Sequence, residues 1–220
     1  MARSGTTARV QDLLSQEAVG TYAEEAGIRL KDTPQPLYQL LVLAHLLSAR
    51  IRAATAVSAA RALFDAGMRS PRRMREATWQ ERVDALGEGG YRRYDERTAT
   101  QLGVEAGLVL EKYGGDLRRM RAAADGDVEV LRSALQEMPG IGPAGADIFL
   151  REAQGIWPEV APYLDTRTLE GARRAGLPPD ADALAELVPR EALPTLAAAL
   201  VRASLERDTS RSHEGARSAA

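Results

Sequence analysis

The sequence contains no cysteine. That absence excludes disulfides, thiolate zinc sites, cysteine-ligated iron–sulfur clusters and cysteine nucleophiles. Histidine is nearly as scarce. His45 and His213 are the only two, so a multi-histidine metal centre is excluded, and neither a metal nor another cofactor is expected. Only Lys31 and Lys112 are lysines, which leaves 27 of the 29 basic side chains to arginine. Long apolar runs are missing too. The longest, Leu40 to Leu47, is broken by His45 and falls far short of the ~20 residues that span a bilayer. The N-terminus lacks the charged-then-apolar order of a secretion signal. A cytoplasmic location without a membrane partner is therefore expected.

What is present suits a water-soluble chain. Its 220 residues are 45% hydrophobic and 27% charged, enough for one ordinary domain or two small lobes sharing a cleft. Alanine accounts for 39 residues. With the arginine excess this suggests GC-rich coding, so some Arg and Ala carry no functional message. The net charge of −2 hides an asymmetry: residues 1–46 carry −1, residues 47–121 carry +5 and residues 122–220 carry −6. A polyanion needs only a local basic face. The clusters Arg72-Arg73-Met74-Arg75, Arg92-Arg93 and Arg118-Arg119-Met120-Arg121 are candidates, although arginines also simply solvate helix faces.

Ala, Leu, Arg and Glu dominate and β-branched alternation is absent, so the chain reads as all-α. One N-terminal helix is expected through Val10, Leu13, Leu14 and Tyr22 to a stop at Gly27. Leu37 to Ala49 is apolar nearly all round and predicts a buried central helix. Further helices are expected over Ala53 to Ala66, from the Ser70-Pro71 start, from the Thr78-Trp79-Gln80-Glu81 capping box to Leu86, and over Asp95 to Tyr113. Gly87 to Gly90 is expected to be a loop. Asp116 and Asp127 are expected to cap two short helices ending near Ala124 and Glu137. The small polar residues 208–220 predict a disordered tail.

The chemistry is concentrated in Leu135-Gln-Glu-Met-Pro-Gly-Ile-Gly-Pro-Ala-Gly-Ala-Asp-Ile-Phe-Leu150. A helix runs into Pro139-Gly140-Ile141-Gly142, and another starts at Pro143. Two glycines two apart allow a tight turn with positive φ and close backbone approach. The turn and the new helix N-terminus leave N–H groups pointing outward, reinforced by the helix dipole. Such a place accepts one phosphate of a nucleic-acid backbone. The same residues would also serve as an ordinary interhelical turn.

The segment Tyr163-Leu164-Asp165-Thr166-Arg167-Thr168 follows some twenty residues on. Together these two stretches resemble the helix-hairpin-helix base-excision DNA glycosylases, the superfamily of endonuclease III. The resemblance extends to Pro36–Leu41, Leu47–Arg50, Thr55–Leu63, Tyr94–Ala99 and Val188–Glu191, and covers roughly residues 30–207. It implies two helical lobes around a DNA-binding cleft. Residues 33–152 would form a barrel lobe ending in the hairpin. Residues 1–32 would return to pack with residues 153–207 as a discontinuous second lobe. The resemblance also implies a monomer acting on nucleoid DNA that carries a damaged or mismatched base.

By position, the resemblance gives Asp165 the catalytic role. A carboxylate there would stabilise oxocarbenium character or activate water, although Asp-Thr-Arg-Thr is equally a helix N-cap. Gly140, Ile141, Gly142 and Ala144 would hold DNA backbone. Arg50 would fill the gap left by a flipped base or contact the opposite one. Arg92, Arg93 and Tyr94, with Tyr91, would form a loop wedged against the lesion. Tyr163, Trp157 and His45 are candidates for the base pocket, each of which could instead be core.

The departures from the pattern matter as much. The family's lyases place a Schiff-base lysine where this chain has Ala144, and a lyase step needs an amine nucleophile. Arg167 stands where a His commonly follows Asp-Thr. The four-cysteine cluster loop is missing. The expected activity is therefore monofunctional: hydrolysis of the N-glycosidic bond. Two other readings stay open, a DNA-binding protein that kept the hairpin and lost catalysis, and a helical interaction module.

Overall fold

The computed structural model describes residues 2–15 and 20–205, so the expected tail lies outside the described residues. The fold is all-α. Thirteen α-helices and two short 3₁₀ turns make up the described residues, without a strand. None of the described helices is long and apolar enough to cross a membrane.

The larger core is built around α3 (Pro34–Ser48), in which every side chain from Leu37 to Leu46 is buried. A helix apolar on all faces must be surrounded. It packs against α4 (Ala53–Asp65), α8 (Leu117–Ala123) and α10 (Pro143–Ala153). Beyond these, α6 (Trp79–Glu88) lies on α4, α9 (Val128–Gln136) on α10, and α5 (Pro71–Glu76) and α6 on α7 (Asp95–Tyr113). Helix starts follow local chemistry. The Ser70, Thr78, Asp116 and Asp127 side chains accept amide hydrogen bonds from their own first turns.

A smaller core gathers Val10, Leu164, Ala172, Leu177, Leu184, Leu196, Ala197 and Leu200. These come chiefly from α1 (Ala2–Ser15), α11 (Thr166–Arg174), α12 (Ala181–Ala185) and α13 (Leu193–Leu205). Gly171 makes the tight α11–α13 crossing possible, since a Cβ there would fall 1.8 Å from the Leu200 carbonyl oxygen. Helix α13 also touches α10, which joins the two cores.

Two expectations need correction. The single N-terminal helix is interrupted: α1 is described over Ala2–Ser15, and α2 (Tyr22–Glu25) starts afresh from a capping box at Thr21. Thr21 and Glu24 bond each other's amides there. Ala23, Ala26 and Ile28 join the larger core, as do Trp157 and Val160. Lastly, Gly87 and Glu88 still belong to α6, and only Gly90 takes positive φ.

Candidate nucleic-acid interface and cleft

The hairpin forms where the glycine spacing places it. Gly140 adopts φ +87°, and Gly142 precedes α10 in extended conformation, with Pro143 in the first turn. The first backbone bond closing α10 is Ala146 N–H to the Gly142 carbonyl. The amides of Ala144 and Gly145 thus lie before the helix has acceptors to offer them. The two glycines differ in reason. A Cβ on Gly140 would fall 2.3 Å from the His45 ring, whereas a Cβ on Gly142 would meet nothing within 4 Å. Ile141 anchors the turn: its side chain is buried and its amide donates to the Met138 carbonyl at 3.0 Å. Both groups are thus engaged within the turn itself.

His45 does not line the cleft described below. It is buried beneath the hairpin, its Nδ1 3.0 Å from Glu105 Oε2, and Glu105 is fully buried as well. Ser48 adds a brace by donating to the His45 carbonyl at 2.7 Å.

A cleft of about 600 Å³ opens between α10, the end of α3, α11 and α13, within the usual ~300–1,000 Å³ of ligand pockets. Arg50, Ala144 and Asp165 all line it, so the structure brings these three candidates together. Helix α10 contributes Ala144, Asp147, Ile148, Arg151 and Glu152, the i, i+3, i+4, i+7, i+8 stripe of one helix face. At 1.5 Å per residue, that stripe runs about 12 Å from the hairpin to Glu152.

Asp165 stands at the start of α11, where its Oδ1 accepts the Thr168 amide at 3.1 Å. Arg151 Nη1 lies 3.8 Å from the same oxygen. At the deep end, Glu152 is 5% exposed, and its Oε1 accepts the Tyr22 amide at 2.9 Å. Burial pushes the Glu152 carboxyl up to about 7, against the opposing pull of the Thr21 hydroxyl, the Tyr22 and Ala23 amides and Arg151. Tyr22 itself is raised by burial, offset by the Arg202 guanidinium 4.6 Å over its ring.

The other aromatic candidates do not line the cleft. Trp157 is fully buried, donates to Asp32 Oδ1 at 2.9 Å and lies under the Arg121 guanidinium. Tyr163 stands behind the α10 stripe and donates to Asp147 Oδ1 at 2.7 Å, which Arg132 also holds at 2.7 Å. Burial and that carboxylate raise the Tyr163 phenol far above its ordinary range. Both sit near Asp165 in sequence, but nearness along the chain sets no direction for a side chain. Tyr91 is buried and accepts from the Thr98 hydroxyl. Tyr94 is half-buried under Arg93, 5.2 Å away, and Arg92 and Arg93 are exposed. These residues lie outside the cleft lining, on a turn whose Gly90 faces Thr55 at the start of α4. Of the basic clusters, Arg118 pairs with Asp116, and Arg121 with Glu159 and Asp32. Arg72 and Arg75 are exposed.

Asp147, Arg151, Glu152 and Tyr22 escape a reading of the sequence motifs. The first three were within reach: once Ala144 is placed in the cleft, the period of α10 assigns 147, 151 and 152 to the same face. Among the described residues, no cluster of His, Asp and Glu could hold a metal ion.

No protein-family model matches the sequence, and no curated protein matches it either. Three solved structures are similar. A trapped endonuclease III–DNA covalent intermediate, an estranged-adenine complex, has TM-score 0.53 and 18% identity over 91% of this chain and 85% of that one. A non-covalent endonuclease III–DNA complex has TM-score 0.54 and 18% identity over 91% and 85%. A thermostable thymine-DNA glycosylase has TM-score 0.58 and 19% identity over 92% and 86%. The likeness runs nearly end to end, and the chain shares the all-α fold of these glycosylases.

Proposed function

We propose that this chain is a monofunctional base-excision DNA glycosylase. The observation that carries the reading is the company Asp165 keeps. It lies in one cleft with Arg50 and Ala144, and Ala144 opens the helix that follows the hairpin. The fold shared with DNA-bound glycosylases supports it. The hairpin amides would take a phosphate of damaged duplex DNA. Arg50 at the rim would enter the gap as a base swings out, and the base would fill the cleft. Water would then attack the sugar C1′. Its proton passes to the Asp165 carboxylate, the C1′–N bond breaks, and its electron pair leaves with the base. The same carboxylate stabilises positive charge on the sugar. With Ala144 in place of an amine, no Schiff base forms. The protein would work as a monomer on nucleoid DNA in the cytoplasm.

Asp165→Asn tests this. Asn still caps a helix, so duplex affinity and melting should change little. Single-turnover base release should fall by about 10²–10³-fold, and borohydride should trap no covalent complex with the wild type. Release at full rate by the variant would sink the mechanism. Asp165 already serves Thr168 as a cap, which favours a second reading, a DNA-binding protein without chemistry. Tight duplex binding with no release from a full lesion panel would establish that reading instead.

A further inference from the structure

Two side-chain atoms on the cleft face of α10 lack hydrogen-bond partners although they are buried: Arg151 Nη1 and Glu152 Oε2. Each belongs to a residue that lines the cleft. Buried polar groups are nearly always paired, and a buried unpaired one costs far more than a made bond returns. Here a donor and an acceptor are orphaned on consecutive residues. Glu152 Oε1 is held by the Tyr22 amide, and Arg151 Nη1 lies 3.8 Å from Asp165 Oδ1, too far for a hydrogen bond. The pair lies at the end of the stripe farthest from the hairpin, so along α10 the order is hairpin, Asp165 opposite Arg151, then Glu152.

We propose that Arg151 and Glu152 read the edge of the extruded base, and that they select a lactam edge, a C=O beside a ring N–H. This rests on the glycosylase reading. The carbonyl would accept from Arg151 Nη1 and the N–H would donate to Glu152 Oε2, so that one ligand satisfies both orphans. An amidine edge, an amino group beside a ring nitrogen, would also fill both places. The chemistry decides between them. When the glycosidic bond breaks, the base departs with the electron pair, and in a lactam base the negative charge spreads onto the carbonyl oxygen that Arg151 would hold. Adenine has no such oxygen. Arg151 thereby links the two ends of the reaction, the carboxylate near the sugar and the oxygen of the leaving base.

Glu152→Gln tests the proposal sharply. The Tyr22 amide would keep the Gln carbonyl at the Oε1 position, which puts an NH₂ donor where Oε2 was. Two donors would then face the base, an arrangement suited to the C=O and unprotonated ring nitrogen of cytosine and hostile to the lactam N–H. Single-turnover release is measured from duplexes carrying uracil, 5-fluorouracil, hypoxanthine, 5-fluorocytosine or mispaired adenine. The wild type should release lactam bases. In Glu152→Gln their release should drop by about 10²-fold, while the ratio of 5-fluorocytosine to 5-fluorouracil release rises by at least as much. A merely structural role for Glu152 would lower all rates together and leave the ratio alone, which would overturn the proposal. So would wild-type preference for adenine or 5-fluorocytosine. If the wild type releases no base of any kind, the glycosylase reading itself fails and takes this proposal with it.

Discussion

The two ends of α10 treat polar groups in opposite ways. At the hairpin end the exposed donors belong to the backbone, and the side chains are Gly, Pro and Ala. The titratable groups beneath, His45 and Glu105, are sealed from solvent and hold each other through Nδ1 and Oε2, although Glu105 Oε1 has no partner. At the deep end the backbone is ordinary helix, and side-chain atoms are left unpaired. A phosphate site made of amides depends on conformation, so nearly any added atom harms it. A base site made of side chains depends on identity, so one substitution can change what it accepts. On the proposed reading, grip on DNA and choice of base would sit on one helix but on separable chemistry.

The strongest way to break the comparison is Gly140→Val. A side chain there meets the His45 ring at 2.3 Å and must hold φ +87°. Strain and overpacking together should cost about 2–5 kcal/mol, read as a fall in denaturation midpoint along with lost DNA affinity. Stability equal to wild type would show that the hairpin does not need this backbone.

The deep end should show its cost through pH. The Glu152 carboxyl is raised in the fold to about 7 from an ordinary value of 4.5. A raised acid favours the folded state while protonated. Its contribution is therefore complete below about pH 4.5 and is lost as pH rises through 7, the whole loss amounting to about 3 kcal/mol at most. Glu152→Gln should lack that step and be the more stable protein at pH 7 and above. Parallel pH–stability curves for the two proteins would contradict a buried, strained carboxyl.

The smallest effect sharpens the contrast. Gly142 has no neighbour within 4 Å of a Cβ and an ordinary φ of −90°. Gly142→Val should leave stability within about 0.5 kcal/mol yet weaken duplex binding. The log–log salt dependence should flatten by about 0.9, the slope of one phosphate. An unchanged slope would mean that this turn holds no phosphate.

Local chemistry made much of this legible in sequence. The caps at Ser70, Thr78, Asp116, Asp127 and Asp165, and the all-apolar α3, carry their instructions within a few residues. The hairpin and Asp165 were likewise legible as a spaced pair. What stayed hidden depends on distant partners. Trp157 is fixed by Asp32, 125 positions away, and His45 by Glu105, 60 positions away; no periodicity announces either. The break before α2 was written in Thr21 and Glu24, but the apolar period running through Tyr22 masks it. The polar pair at 151 and 152 needs both the period of α10 and knowledge of which face the cleft takes.

The closeness of Gly140 to His45 also constrains how such a protein can change over generations. No larger residue fits at 140 while an imidazole lies beneath it, and a smaller residue at 45 would strip Glu105 of its partner. Positions 45, 105 and 140 should therefore change together. Arg151 and Glu152 face the cleft instead. Divergent descendants of this chain should keep the triplet together or exchange it whole, while on the proposed reading residues 151 and 152 would vary with the base selected.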